Sequence, residues 1–419
     1  MKLSQFLTHI QIVTDISTLR NYFKNPIYHN SLYLTFGRFL DVGFGFLFWA
    51  LAARLFSVSD VGIATALIAS IGLVIAISRL GFDMSIIRFM PSHDHSRVFN
   101  SCLWITTAAT IVVGIIYIAA IDFISPNIAF IRDYALFFIL FAIVNSFTLT
   151  TGNAFLSIRK ANLKFIQNLI MGVRLPLLLL FVFLGSLGIF YSFGVAYIVG
   201  AVFALLIIPG YFPLSLNIDW EFIRKTLRFS SLNYLTGLFQ MVPGLVMPII
   251  IVNLVSPKDA ALYYIAFAIG NLVLIIPDAM SMSFLVEGSH GVNLREGMIR
   301  TLAASYAVLV PAILFIFFFG NILLGFFGKD YQAAFDLLRV IVVSSLFVTI
   351  YLVFISIQFI RLKAGAMVVL TLIHFVLFIG LSYVFLIWFG VVGAGYAWAL
   401  THMIIGAGIV VFARVKGWI

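Results

Sequence analysis

The chain has 419 residues, of which 63% are apolar and only 10% charged, against about 25% charged in a soluble domain. Its mean hydropathy is +1.16. Apolar runs of at least ~18 residues recur from end to end, each long enough to cross a bilayer core of ~30 Å, which excludes a soluble globular domain. The net charge of +10 would suggest nucleic acid in a soluble protein, but here its distribution along the chain has another cause.

Residues 1–30 place Leu3, Phe6, Leu7, Ile10, Val13 and Ile16 at helical spacing. Two readings fit, an amphipathic cytoplasmic segment on the membrane surface and a disordered tail. No uninterrupted apolar core follows a basic start, so the segment does not read as a signal peptide. Twelve spans are then expected, at about 31–54, 60–80, 98–121, 132–154, 165–185, 189–211, 230–254, 259–285, 300–324, 332–358, 364–387 and 391–413. The runs are continuous, whereas barrel strands alternate over ~10 residues, so the spans are helices. With the N-terminus cytoplasmic, 18 Lys/Arg fall inside, 4 outside and 3 within spans. This is a strong positive-inside bias, and it accounts for most of the net charge without a nucleic-acid partner. The expected localisation is the cytoplasmic (inner) membrane, with both termini cytoplasmic.

The first span carries "GRFLD". Val42–Phe56 is only 15 residues, or roughly 22 Å of helix, too short for the core. Arg38 and Asp41 must therefore lie within the span, on one helix face at i and i+3. Two roles stand open for them, a self-neutralising pair and a lining of a water-filled cavity. Lys164 marks the cytoplasmic edge of span five, and ten residues of helix carry Arg174 about 15 Å deeper. No acidic residue in that span neutralises Arg174, and an intramembrane charge is a functional candidate by default. Pro176 follows and loosens the local helix. Span seven holds Pro243 and Pro248, which predict a bent gating helix. Asp278, after Pro277 in span eight, is a candidate for binding a coupling cation or proton, or for an interface. Arg339 lies close enough to its span end to snorkel. His374 and His402 lie singly in spans and are read as packed or hydrogen-bonded.

The longest polar cytoplasmic link, "SLNIDWEFIRKTLRFS" (Ser215–Ser230), falls at the midpoint. "LFSVSD" (Leu55–Asp60) and "LVSPKD" (Leu254–Asp259) stand 199 residues apart, as do "GVAY" (Gly194–Tyr197) and "GAGY" (Gly393–Tyr396). "YLT" recurs at Tyr33 and Tyr234, and "RKA" (Arg159–Ala161) resembles "LKA" (Leu362–Ala364). These matches imply a duplication: residues 31–213 as one six-helix lobe, 214–229 as a linker, and 230–419 as a second lobe. Six spans per half give parallel repeats with a site at their interface. The expected fold is an all-α integral membrane protein with two parallel six-helix lobes around a central cavity.

No P-loop, H-E-x-x-H or G-x-S-x-G occurs, and the chain is not read as an enzyme. The single cysteine, Cys102, permits neither an intramolecular disulfide nor a cysteine metal site. "HDH" (His93–His95) reads as a solvated loop, so no metal and no cofactor are expected. Scattered acidic residues on short outer loops do not suit a membrane glycosyltransferase.

"FWALAARLFSVSDVGIATALIASIGLVIAISRLGFDMSIIRFMPS" (Phe48–Ser92), "RKANLKFIQNLIMGVRLPLLLL" (Arg159–Leu180) and the G-x-x-G-A-G-Y-A start of span twelve (Gly390–Ala397) resemble the lipid-linked polysaccharide (O-antigen type) flippases. These belong to the multidrug/oligosaccharidyl-lipid/polysaccharide exporter (MOP) superfamily. The resemblance implies a cationic cavity and a substrate of oligosaccharide on a polyprenyl diphosphate, moved between leaflets by alternating access for surface polysaccharide (lipopolysaccharide) synthesis. It implies membrane lipids, an H⁺ or Na⁺ coupling ion, and polysaccharide polymerase and assembly proteins as partners. Arg38 and Arg174 would dock the diphosphate. The alternative is a cation-coupled multidrug antiporter of the same superfamily, with Asp41 as its cation site.

Overall fold

The computed structural model describes residues 26–415; the amphipathic segment expected at the N-terminus lies almost wholly outside them. Twelve helical segments among the described residues are long and apolar enough to cross a membrane. They are Phe36–Leu55, Val58–Ser78, His95–Ala119, Pro126–Ser157, Ala161–Leu180 and Ser186–Gly210 in the N-terminal lobe. Ser231–Leu254, Pro257–Ser289, Leu294–Gly325, Lys329–Ile360, Ala364–Phe389 and Val392–Val415 form the C-terminal lobe. Each overlaps one of the expected spans. An even number of crossings puts both ends of the described chain on one side, the near side.

The duplication is visible in the backbone. Ser57 accepts the amide of Asp60 (3.1 Å) and donates to its carboxylate (2.6 Å) at the start of span two. Ser256 does the same for Asp259 at the start of span eight. Such side-chain caps supply the acceptors that free N–H groups of a first helical turn need. Asp94 and Asn293 cap the helices of spans three and nine in the same way. Before spans five and eleven, Arg159 (φ 58°) and Leu362 (φ 54°) share a left-handed conformation. Lys160 N–H then closes on Phe155 C=O (2.8 Å), and Lys363 N–H on Gln358 C=O (2.9 Å). Gly185 (φ 57°, ψ −135°) opens span six, and Gly390 (φ 58°, ψ −148°) opens span twelve. These two glycines pair Gly188 with Gly393, each donating its N–H to the glycine three residues before it at 2.9 Å. The "GVAY"–"GAGY" match is therefore out of structural register by six residues. Two Gly-Ala-Tyr-rich helix faces resemble each other by composition alone.

Packing repeats as well. Spans one and five, two and three, two and four, three and four, four and six, and five and six pack together in the first lobe; their counterparts pack in the second. Helix Trp220–Leu254 begins within the link 214–229 and runs on as span seven. Ile223 of that helix is buried with Phe99 and Phe212 of the first lobe, and Asp219 N–H donates to Ser101 Oγ at 2.8 Å. Pro243 and Pro248 lie inside the helix of span seven, which runs on through both. Each proline removes one backbone hydrogen bond, while dense packing on spans two, eight and eleven holds the helix.

The lobes meet chiefly where span two packs on spans seven and eight. On the far side, one apolar core crosses both lobes, joining Val61, Leu67 and Ile71 to Ile251, Ile265 and Ile269. On the near side the cores are separate, one around Phe99 and Phe155 and another around Phe284 and Ile357. Polar latches close the far side. Arg54 donates to the carbonyls of Phe326 (2.9 Å) and Gly325 (3.2 Å), where the end of a helix carries partial negative charge. Asn127 N–H donates to Asn253 Oδ1 (3.1 Å), Asn127 Nδ2 to Val252 C=O (2.8 Å), and Asn253 Nδ2 to Ser125 Oγ (2.6 Å). Gly62 lies so close to span eight that a Cβ on it would stand 1.6 Å from the Pro257 carbonyl oxygen. On the near side a cavity of about 680 Å³ separates the lobes, lined by Arg79, Asp83, Arg88, Tyr234 and Gln240 among others.

Candidate functional site

Span five is built from two helices, Ala161–Met171 and Arg174–Leu180. Gly172 and Val173 separate them. Pro176 has no N–H for the Gly172 carbonyl, which accepts instead from Leu175 N–H at 3.0 Å. The ring of Phe44 lies where a Cβ of Gly172 would be, 2.9 Å from that position. The break turns Arg174 towards span one, with its guanidinium carbon 5.6 Å from the centre of the Phe48 ring. The guanidinium is partly desolvated, and its Nε has no hydrogen-bond partner. A cation over an aromatic face is attracted to it.

Arg38 and Asp41 do not pair with each other among the ion pairs of the described residues. Asp41 Oδ2 accepts from Asn168 Nδ2 at 2.8 Å, so span five holds this carboxylate. Lys164, Arg174 and Arg38 all lie within its electrostatic reach, Lys164 acting most strongly. The self-neutralising pair within span one is thus replaced by a cluster across spans one and five. Tyr197 of span six lies in electrostatic reach of Arg174.

Lys164 is the residue that reading along the chain missed. It stands in the first turns of span five, where a lysine reads as an edge marker. Its chain turns inward because Gly152 of span four offers no Cβ; one built there would stand 2.7 Å from the Lys164 Nζ. Lys164 in turn feels Arg79, which lines the near-side cavity and pairs with Asp83 at 3.4 Å. Lys164, Arg174 and Arg38 thus lie in electrostatic reach of Asp41 and Arg79 in reach of Lys164, so that four cations cluster in the N-terminal lobe with the two carboxylates Asp41 and Asp83.

The other candidates lie apart from this cluster. Pro243 and Pro248 are buried in span seven. Asp278 is exposed on a stripe of span eight with Asn271, Ile275 and Met282, in the C-terminal lobe. Arg339 pairs with Asp336 (3.3 Å) and stacks on Phe335, near the far-side end of its span. His374 and His402, one in each of spans eleven and twelve, are buried with their ring centres 4.7 Å apart.

Comparison with known proteins fits these features. Residues 27–286 match the family described as polysaccharide biosynthesis protein. The chain belongs to that family. No curated protein matches its sequence. Its fold is that of MOP-superfamily transporters. An inward-facing multidrug resistance MATE family transporter of the MOP superfamily superposes with a TM-score of 0.71 at 14% identity, covering 90% of this chain and 94% of that one. The MATE multidrug transporter DinF-BH gives 0.63 at 17% identity, with coverages of 93% and 95%. A MOP-superfamily transporter from Pyrococcus furiosus Vc1 (DSM3638), described as having a binding pocket of reverse polarity, gives 0.62 at 13% identity, with coverages of 93% and 95%.

Proposed function

We propose that this polysaccharide biosynthesis family member is a flippase. It would carry an oligosaccharide on a polyprenyl diphosphate from the cytoplasmic to the outer leaflet of the inner membrane, for surface polysaccharide or O-antigen synthesis. The observation that carries this reading is the cluster of four cations in the N-terminal lobe beside only two carboxylates. A site with excess positive charge suits a diphosphate, and guanidinium forks bind phosphate oxygens in pairs. Arg174 and Lys164 bind the diphosphate, Arg38 and Arg79 guide its entry from the cytoplasmic near side, and Asp41 keeps the cluster hydrogen-bonded while empty. The glycan occupies the cavity between the lobes. The lobes then rock, opening the Arg54 and Asn127–Asn253 latches. An H⁺ or Na⁺ gradient or the membrane potential drives the cycle, and a polysaccharide polymerase with its assembly proteins consumes the product.

A second reading, a cation-coupled multidrug antiporter, draws on the fold shared with MATE transporters and on Asp41. The surrounding cations disfavour it, since they repel a cationic drug. Proteoliposomes decide between the two. Wild type should flip a labelled lipid-linked oligosaccharide, and Arg174→Ala should lose that activity without loss of the folded protein. Efflux of a cationic dye with no movement of the glycolipid would favour the antiporter.

A further inference from the structure

The two lobes share a frame on the far side as well, and at one place they fill it differently. Twenty-two residues before the left-handed Arg159 and Leu362 stand Phe137 of span four and Val340 of span ten. Six residues after Gly185 and Gly390 stand Tyr191 of span six and Tyr396 of span twelve. In the first lobe the Phe137 ring meets the Tyr191 ring edge-on, with 5.4 Å between centres. In the second lobe a valine is too short to make that contact. A cavity of about 410 Å³ takes its place, lined by Asp336, Arg339, Val340, Phe389, Val392 and Tyr396. Its size falls among small-ligand pockets, which run from about 300 to 1,000 Å³. All of these residues belong to spans ten to twelve, so the cavity lies outside the space between the lobes. Arg339 brings a charge to it where the first lobe has Leu136.

Ring contacts hold the Arg339 guanidinium. Its central carbon lies 3.9 Å from the centre of the Phe335 ring and 5.4 Å from that of Phe317. One terminal nitrogen reaches Asp336 at 3.3 Å, and Nε is buried with no hydrogen-bond partner. A snorkelling arginine carries its head out to water, whereas a buried donor without an acceptor calls for an explanation. Asp336 is the second residue of helix Phe335–Ile360, and its side chain is 76% exposed. One cation and one carboxylate thus face one cavity. Trp388 and Tyr396 are exposed on spans eleven and twelve, and such side chains gather at the headgroup level of a bilayer.

The two charges select the ligand. A headgroup with negative charge alone, a diphosphate included, is repelled by the Asp336 carboxylate. A headgroup with a phosphate and an ammonium suits both residues. Guanidinium N–H groups donate to phosphate oxygens, the carboxylate accepts from the ammonium, and the faces of Phe389 and Tyr396 attract the same cation. We propose that this cavity binds a zwitterionic aminophospholipid of the far-side leaflet, with its phosphate on Arg339 and its ammonium on Asp336. The site requires only that the spans cross a bilayer, whatever the chain transports.

Full-length protein, delipidated in detergent, is titrated with phosphatidylethanolamine and with phosphatidylglycerol, and bound lipid is followed by native mass spectrometry. The ethanolamine lipid should bind about threefold to tenfold more tightly, the share of one charged hydrogen bond. Arg339→Gln should weaken it by about tenfold or more. Asp336→Asn should erase the preference between the two lipids while phosphatidylglycerol still binds. Val340→Phe installs the ring that the first lobe carries at this place and should remove the bound lipid. An unchanged elution profile and lipid-free melting temperature show that the variants fold. Should Val340→Phe melt lower, the two substitutions at the charged pair decide. Equal affinity for both lipids, tighter binding of phosphatidylglycerol, or unchanged binding by Arg339→Gln overturns the site. Displacement of the ethanolamine lipid by an equimolar polyprenyl diphosphate assigns the cavity to that class of lipid and also overturns the proposal.

Discussion

The two lobes hang different chemistry on one frame. Counting twelve residues from the left-handed Arg159 and Leu362 reaches Met171 in the first lobe and His374 in the second. Twelve residues on from Gly185 and Gly390 lie Tyr197 and His402. Asp41 of span one has Gln240 of span seven 199 positions later. The backbone devices, caps and positive-φ turns agree between lobes because helix ends must be satisfied in either. The interior positions differ, with ammonium and guanidinium groups in one lobe and imidazoles in the other. The lesson is that duplication supplied two similar frames whose interior side chains differ in charge.

That contrast can be broken by experiment. The largest effect is expected at Arg174. Arg174→Ala removes charge-assisted hydrogen bonds worth about 1.5–3 kcal/mol in a desolvated site, so glycolipid affinity should fall roughly 10- to 150-fold. Microscale binding of a soluble diphosphate headgroup analogue would read this, and Gln240→Leu should leave that binding nearly unchanged. Equal losses from both substitutions would erase the proposed division between lobes.

Next is Gly62→Ala, which puts a methyl group against the Pro257 carbonyl where the lobes touch. Overpacking of this kind costs about 1–3 kcal/mol, and the strain is relieved when the far side opens. A cysteine placed at Phe326 should then react faster with a membrane-impermeant thiol reagent, by roughly 5- to 100-fold. An unchanged rate would mean that this contact does not report lobe separation.

Gly152→Ala tests the N-terminal pocket more gently. Its new methyl group displaces the Lys164 ammonium, and headgroup affinity should fall by about 3- to 10-fold, the loss of part of one charged hydrogen bond. Combined with Lys164→Met, it should add almost nothing, since coupled neighbours are not additive. Additive losses would place the two residues in separate roles. The smallest effect belongs to Arg54→Ala. This exposed latch is screened by water, and its removal should raise far-side labelling only about twofold to fivefold.

Much of this was legible along the chain. Twelve spans follow from run length, and Arg174 stands out because no acid shares its span. The repeat was visible through "SVSD" and "SPKD", whose cap chemistry is local. What depends on a neighbouring helix was not legible. Lys164 turns inward because of Gly152, a residue in another span. Asp41 is held by Asn168, so a pairing inferred from i and i+3 spacing gave way to a contact between spans. His374 and His402 become a pair when spans eleven and twelve pack face to face. Helix Trp220–Leu254 absorbed most of a polar link because Ile223 found a buried place on the first lobe. The "GVAY" and "GAGY" strings show the converse, since small-residue faces recur wherever helices pack closely, in register or not.

Asp60 has one further consequence. Besides taking part in the cap of span two, its Oδ1 accepts the amide of Ser186 at 3.0 Å, just after the left-handed Gly185. The two far-side corners of the first lobe are thereby pinned to a single carboxylate. In the proposed rocking of the lobes, this pin would stiffen the arm that carries the cations, and work done by a closing far side would reach the proposed headgroup site as rotation and not be lost in the bending of span six away from span two.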